Sequence, residues 1–299
     1  MMLRIALAAA ARRLIRTAPI RTVSILAASL LAASSWAPPL AAQEPPALTF
    51  GSVARFPSKT LGEERRINVL LPPDYEKSGK KYPVFYLLDG SAHEDYFHAA
   101  GLVDFMATYG VMPQTIVVGI SNVDRKRDFT RPSVDEEDRK MVPTSGGADK
   151  FAAFLATELI PYVNSHYRTD GKSTLYGQSL AGLLATQVLL EKPGLFDNYI
   201  LVSPSLWWSH EQLLGTAPEL LAKNAAAGRK VYLAVGKEHP EMVAAARQLA
   251  GLLEKSSWPG FATRFDYLEN EDHATIGHLA LYRGLEYLFK APADGGKAP

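Results

Sequence analysis

The chain has 299 residues, 47% hydrophobic and 21% charged, with a formal net charge of +1. This is an ordinary globular balance, and a chain of this length can bury a full core without covalent staples. Cysteine is absent, which excludes disulfides, thiolate catalysis and cysteine-ligated zinc.

Residues 1–42 differ from the rest. They carry Arg4, Arg12, Arg13, Arg16 and Arg21 and no acidic residue. An apolar run from about Val23 to Ala33 follows, then Pro38, Pro39 and the small pair Ala41-Ala42 before Gln43. A basic stretch, a short apolar stretch and a small-residue cleavage site read as a cleaved secretory signal over 1–42. The run is too short, and too closely followed by proline, for a good membrane span. Arg12-Arg13 leaves the twin-arginine route open beside general secretion. Losing these five arginines and no acid takes the formal charge from +1 to −4. A mildly acidic mature surface gives no reason to expect nucleic acid or stable membrane insertion. The expected location is exported, either periplasmic or secreted.

Beyond a short Pro-rich lead, strand-like and helix-like segments alternate with no repeat or linker. One domain over 43–291 and a flexible Gly/Ala/Lys tail over 292–299 are expected. Strand candidates are 67–71, 84–88, 115–120, 173–176, 199–202, 231–235 and 262–267. Most are short apolar runs without polar alternation, as in strands covered on both faces of a parallel sheet. Phe151, Phe154, Leu155, Leu159 and Val163 recur at helical spacing and predict an amphipathic helix from Asp149 to about Ser165. Leu180–Leu190, Glu241–Leu253 and Ile276–Phe289 read the same way. The β-then-α order predicts a mostly parallel central sheet with helices on both faces and an antiparallel start before residue 75. In such sheets the ligand site lies beyond the carboxyl ends of the strands.

After strand 173–176 comes Gly177-Gln178-Ser179-Leu180-Ala181-Gly182, then a helix. A strand, a tight turn with a central serine and a helix lift that hydroxyl above the sheet, and small neighbours let the turn close. Ser179 is the candidate nucleophile. The backbone N–H of Leu180, at the helix start, is a candidate oxyanion donor. Alanine replaces the last glycine of the usual pattern at position 181.

A serine hydroxyl needs a positioned base. In the α/β-hydrolase order of serine, acid, histidine, His273 fits best among the seven histidines, after the last strand and before the last helix. The acid belongs after strand 231–235, where Glu238 stands. Glu241, or the cluster Glu269, Glu271 and Asp272, is an alternative, and His239 falls where the acid should be. A second oxyanion donor is expected from the loop after the third strand, as the N–H of Gly90 or Ser91, with Gly90 permitting close approach to substrate.

At these residues the sequence resembles the esterase D-like esterase family of α/β-hydrolases, and within it the enterobactin-type siderophore esterases. The matching pieces run in family order. They include Tyr82-Pro83-Val84-Phe85-Tyr86-Leu87-Leu88-Asp89-Gly90, Val117–Asn122, Arg127-Asp128-Phe129-Thr130, Gly146-Gly147-Ala148, Gly177-Gln178-Ser179 and Ser203-Pro204-Ser205-Leu206-Trp207-Trp208. The resemblance implies an α/β-hydrolase fold and a serine carboxylic-ester hydrolase acting through an acyl-enzyme. Some members of that branch have a weak or absent acid, which leaves a Ser-His dyad open. It also implies that Asn122–Thr130 and the Ser203–Trp208 segment border the substrate. Asn122 is a candidate contact, Arg127 would pair with an anionic group, and Trp208 would stack on a catechol ring.

The expected substrate is a small-molecule ester, with siderophore esters as the sharper version. A feruloyl or acetyl esterase, a serine acyltransferase and a silent hydrolase-fold binding protein are the competing readings. No metal or organic cofactor is implied. The oligomeric state is left open.

Overall fold

A computed structural model of the chain describes residues 47–290. The expected signal over 1–42 and tail over 292–299 lie outside the described residues. Two neighbouring strand sequences open the domain. β1 (Ser52–Ser58) and β2 (Glu63–Leu70) pair antiparallel around a turn too short for a helix, closed by Gly62 at φ 71°. Then come α1 (Tyr75–Ser78), β3 (Tyr82–Leu87), α2 (Tyr96–Thr108), β4 (Ile116–Ile120), α3 (Arg125–Phe129) and α4 (Glu136–Met141). A long helical stretch follows as α5 (Ala148–Phe154), a π-turn (Leu155–Leu159) and α6 (Ile160–His166). The remainder alternates: β5 (Thr169–Gln178), α7 (Leu180–Glu191), β6 (Asn198–Val202), α8 (Trp208–Lys223), β7 (Lys230–Gly236), α9 (Pro240–Glu254), β8 (Ala262–Leu268) and α10 (Ile276–Phe289).

The eight strands form one sheet in the order β1-β2-β4-β3-β5-β6-β7-β8. β2 runs antiparallel to both neighbours, and every pairing from β4 to β8 is parallel. The central strands are apolar on both faces because both faces are covered. Phe85, Leu87, Val117, Tyr176, Ile200 and Val202 pack under α2 and α10. Val84, Tyr86, Val118, Leu175, Tyr199 and Leu201 pack under α5–α7 and α9 on the other side. Each fully buried aliphatic side chain contributes about 1.5–3 kcal/mol. This is the α/β-hydrolase fold.

The helix expected from Asp149 to Ser165 is interrupted by the π-turn. Pro161 lacks an N–H for the carbonyl four residues back, and the wider turn just before it absorbs that defect. Three non-glycine residues with left-handed backbone stand just past three adjacent strands. They are Asp89 after β3 (φ 54°), Ser179 after β5 (φ 60°) and Ser203 after β6 (φ 42°). A second set, Ser209, His210 and Glu211, forms a left-handed turn at the start of α8. Asp138 of α4 accepts the Ser209 N–H at 2.7 Å, so this turn is tied to the 131–142 segment.

Candidate active site

The nucleophile turn is built from clearance. At Gly177 a Cβ would stand 2.4 Å from the Ala181 carbonyl oxygen, and at Gly182 one would stand 3.0 Å from Pro204 Cα. Both positions therefore exclude side chains, whereas Ala181 fits fully buried. The Ser179 N–H donates to the Val202 carbonyl at 3.0 Å, which fixes the turn to the end of β6. With φ 60° and ψ −123° at Ser179, the side chain leaves the sheet at its carboxyl edge.

His273 lies between β8 and α10. Its carbonyl accepts from Gln178 Nε2 at 2.7 Å, and Asp272 accepts the N–H groups of Ala274 and Thr275 at 2.8 and 3.0 Å. These bonds hold Asp272 below the ordinary aspartate range and stiffen the loop. His273 Nε2 is 3.0 Å from Ser179 Oγ, and Nδ1 is 2.8 Å from Glu238 Oε2. Glu238 stands two residues past β7, with its side chain almost wholly buried. Its other oxygen accepts from the Gly236 N–H at 3.2 Å and from the Ser203 hydroxyl. Burial alone would raise the Glu238 carboxyl, but the bonds from His273, Ser203 and Gly236 hold it below its ordinary value. The acid's loop approaches the histidine's loop closely: a Cβ at Gly236 would sit 2.5 Å from the Glu271 carbonyl oxygen.

The alternative acids are placed elsewhere. Glu241 is exposed and its nearest basic group is His239, at 3.7 Å. Asp272 is occupied with backbone, and no bond joins Glu269 or Glu271 side chains to His273 among the described residues.

Several expectations need correction. Gly90 does not offer its N–H, which donates to the Ile120 carbonyl at 2.9 Å. Nor does its missing side chain clear room for substrate: a Cβ there would meet Gly119 Cα at 2.3 Å, so the close approach is to β4. The Ser91 N–H points to Glu94, whose carboxylate accepts it at 3.1 Å. The N–H of Leu180 has no backbone partner among the described residues.

Arg127 is turned away from the serine. Its guanidinium pairs with Glu63 and Asp128, each at 2.7 Å, in a separate depression with Thr144 and Lys150. Arg125 faces the site instead, in bidentate contact with Asp89 at 2.7 and 2.8 Å. Two residues on a helix lie about 200° apart, so α3 cannot aim both at one cleft. Trp208 is buried at 3% exposure, and its indole N–H donates to the Arg131 carbonyl at 2.9 Å. It lines a small cavity with Arg131, Leu183 and Gln187, and so is packing rather than a stacking surface over Ser179. Asn122 is not among the residues lining the cleft but braces two that are. Its amide donates to Asp89 at 2.6 Å and to Glu94 at 2.7 Å.

The cleft over Ser179 is open to solvent, has a volume of about 460 Å³ and is lined by Asp89, Glu94, Asp95, Arg125, Gln178 and His273. Burial raises the Asp89 carboxyl above its ordinary value in spite of Arg125 and Asn122. Sequence reasoning placed Arg125 and Ser203 in segments expected at the site but gave neither a role of its own. The signal for both was position, just beyond the carboxyl ends of β4 and β6. Among the described residues no cluster of side chains has metal-ligand geometry, and no helix is long and apolar enough to cross a membrane.

A hydroxyl bonded to an imidazole whose far nitrogen meets a buried carboxylate is equipped for nucleophilic attack on an acyl carbon. A family model described as "Putative esterase" matches residues 58–275. The ferri-bacillibactin esterase BesA of Bacillus subtilis is 31% identical over 226 residues, spanning 69% of this chain and 78% of that protein. The siderophore triacetylfusarinine C esterase of Aspergillus fumigatus is 26% identical over 267 residues, spanning 77% and 90%. Among solved structures, an IroE-like serine hydrolase from Shewanella oneidensis superposes with a TM-score of 0.73 at 29% identity, over 80% of each chain. The BES protein of Bacillus cereus gives 0.73 at 27%, over 83% of this chain and 99% of that one.

Proposed function

This chain belongs to the Putative esterase family and is an esterase, and from that premise we propose that it cleaves siderophore esters through a Ser179 acyl-enzyme outside the cytoplasm. The observation that carries the mechanism is the continuous relay from Ser179 Oγ to His273 Nε2 and from Nδ1 to Glu238, at 3.0 and 2.8 Å. His273 Nε2 takes the Ser179 proton as Oγ attacks the ester carbonyl. The Leu180 N–H, at the start of α7, donates to the oxyanion that forms. Collapse breaks the ester C–O bond, and the alkoxide leaves with the proton from Nε2. Water then gives a proton to His273 and attacks the acyl-serine. Breakdown of that second intermediate releases the acid and restores Ser179. Glu238 holds the Nδ1–H tautomer and stabilises the imidazolium.

The siderophore reading is supported by relatives named for ferri-bacillibactin and triacetylfusarinine C. A cleft that sets Arg125 at the serine supports it too, since a guanidinium suits catecholate oxygens. The extracytoplasmic reading rests on the basic and apolar pattern of residues 1–42. The test combines labelling and turnover. A fluorophosphonate probe modifies Ser179 alone, and Ser179→Ala and His273→Ala each lower kcat about 10³-fold or more on a tri-catecholate ester. Labelling at another residue would overturn the mechanism. Turnover of feruloyl or acetyl esters with none of any siderophore would overturn the substrate.

A further inference from the structure

Glutamate is a demanding choice for the acid of such a relay. It carries one more rotatable bond than aspartate, and a carboxylate free to turn would not hold the imidazole in one orientation. Here one oxygen, Oε1, receives two donors: the Gly236 N–H at 3.2 Å and the hydroxyl of Ser203. The other oxygen is left for His273 Nδ1 at 2.8 Å. Ser203 is fully buried, and its own N–H is fixed to the Ala234 carbonyl at 2.8 Å. Its backbone stands at φ 42°, a region that suits glycine and is costly for serine. A backbone outlier beside the reacting groups, carrying a side chain that bonds one of them, points to a working role for that side chain.

We propose that Ser203 is a fourth, positioning member of the relay, whose hydroxyl locks the Glu238 carboxylate in the rotamer that serves His273. The proposal rests on the serine esterase reading above. Ser203 touches neither substrate nor nucleophile and acts through Glu238. It sits on the end of β6, which also anchors the Ser179 turn through the Val202 carbonyl. One strand end therefore supports both ends of the relay.

The experiment compares Ser203→Ala, which removes the hydroxyl and keeps the backbone strain, with Ser203→Gly, which removes both. Each is expected to lower kcat on the order of tenfold with KM nearly unchanged, the low end of the loss seen when a partner that orients a metal-ligating histidine is removed. The His273 Nδ1–H proton resonance shifts in both variants. In a Glu238→Ala background the further change Ser203→Ala alters kcat less than about twofold, because two residues acting as a unit are not additive. A glycine variant with wild-type kcat beside a crippled alanine variant would reduce Ser203 to a backbone role and overturn the proposal. So would unchanged kcat in both, or fully additive losses. Should Ser203→Ala fail to fold, the kcat of Ser203→Gly decides the same question. Wild-type turnover in Glu238→Ala and His273→Ala would bring down the relay and this proposal together. Loss in those two with full activity in both Ser203 variants would bring down this proposal alone.

Discussion

Replacing Glu238 with glutamine is expected to harm the enzyme more than replacing it with alanine. Both changes remove a charge-assisted bond to His273 Nδ1, worth about 1.5–3 kcal/mol. Glutamine adds a second defect. The Oε1 position faces the Gly236 N–H, a donor that cannot turn, so the amide oxygen settles there and the NH₂ group faces Nδ1. The imidazole must then accept at Nδ1 and carry its proton on Nε2, where it cannot take the proton of Ser179. Flipping the amide sets NH₂ against the Gly236 N–H and leaves a donor unsatisfied, at about 1–3 kcal/mol. The combined effect lowers kcat about 10²- to 10⁴-fold for Glu238→Gln, at 1.36 kcal/mol per decade. For Glu238→Ala, where water can accept the Nδ1 proton, the loss is about 10- to 150-fold. Steady-state kcat on a p-nitrophenyl ester at neutral pH measures both. A glutamine variant as active as the alanine variant would refute the tautomer argument.

Arg125→Ala is expected to lower kcat/KM about 10- to 100-fold on an anionic catecholate ester, the size of one charge-assisted contact, and far less on a neutral short-chain ester. Equal losses on the two would mean that Arg125 only braces Asp89. Arg127→Ala should leave both substrates unaffected and lower the thermal midpoint by roughly 2–4 °C, because its partly exposed pairs contribute about 1 kcal/mol. Burial opposes ionisation of Glu63, but Arg127 and Arg65 hold it below the ordinary value of 4.5. Its contribution to stability is therefore complete above that value and fades as pH falls through the lower folded-state value. Thermal melts from about pH 7 down to about pH 3 should show a steeper fall below about 4.5 in wild type than in Glu63→Gln, and parallel curves would count against that network.

The parts of the site that were legible are those whose chemistry is local. Gly177-Gln178-Ser179-Leu180-Ala181-Gly182 shows its turn because the clearance it needs is met by neighbours in sequence. Glu238 and His273 could be named because each follows a strand, and strand ends converge in a parallel sheet. The misplaced residues depend on angles or on distant partners. Arg125 and Arg127 differ only in the phase of a five-residue helix, whose caps set the rotation. Trp208 looked available for stacking because nothing nearby in sequence reveals that the Arg131 carbonyl takes its indole N–H. The Gly90 N–H was lost to β4, a pairing fixed by sheet order. The left-handed turn at Ser209–Glu211 has no glycine to announce it. It is held by Asp138, 71 residues earlier.

The strained residues after β3, β5 and β6 also bear on how this protein can be changed. Glycine at Asp89, Ser179 or Ser203 would relax the backbone, and a selection for heat resistance alone would favour it wherever that relief outweighs the side-chain bonds lost. Each such gain would remove a group from the cleft or its support: the partner of Arg125, the nucleophile, or the hydroxyl beneath Glu238. Breeding a hardier variant should therefore begin far from these strand ends, for example at the exposed β1 edge. Thermal tolerance that arises at these three positions should be read as a warning that the enzyme is dying.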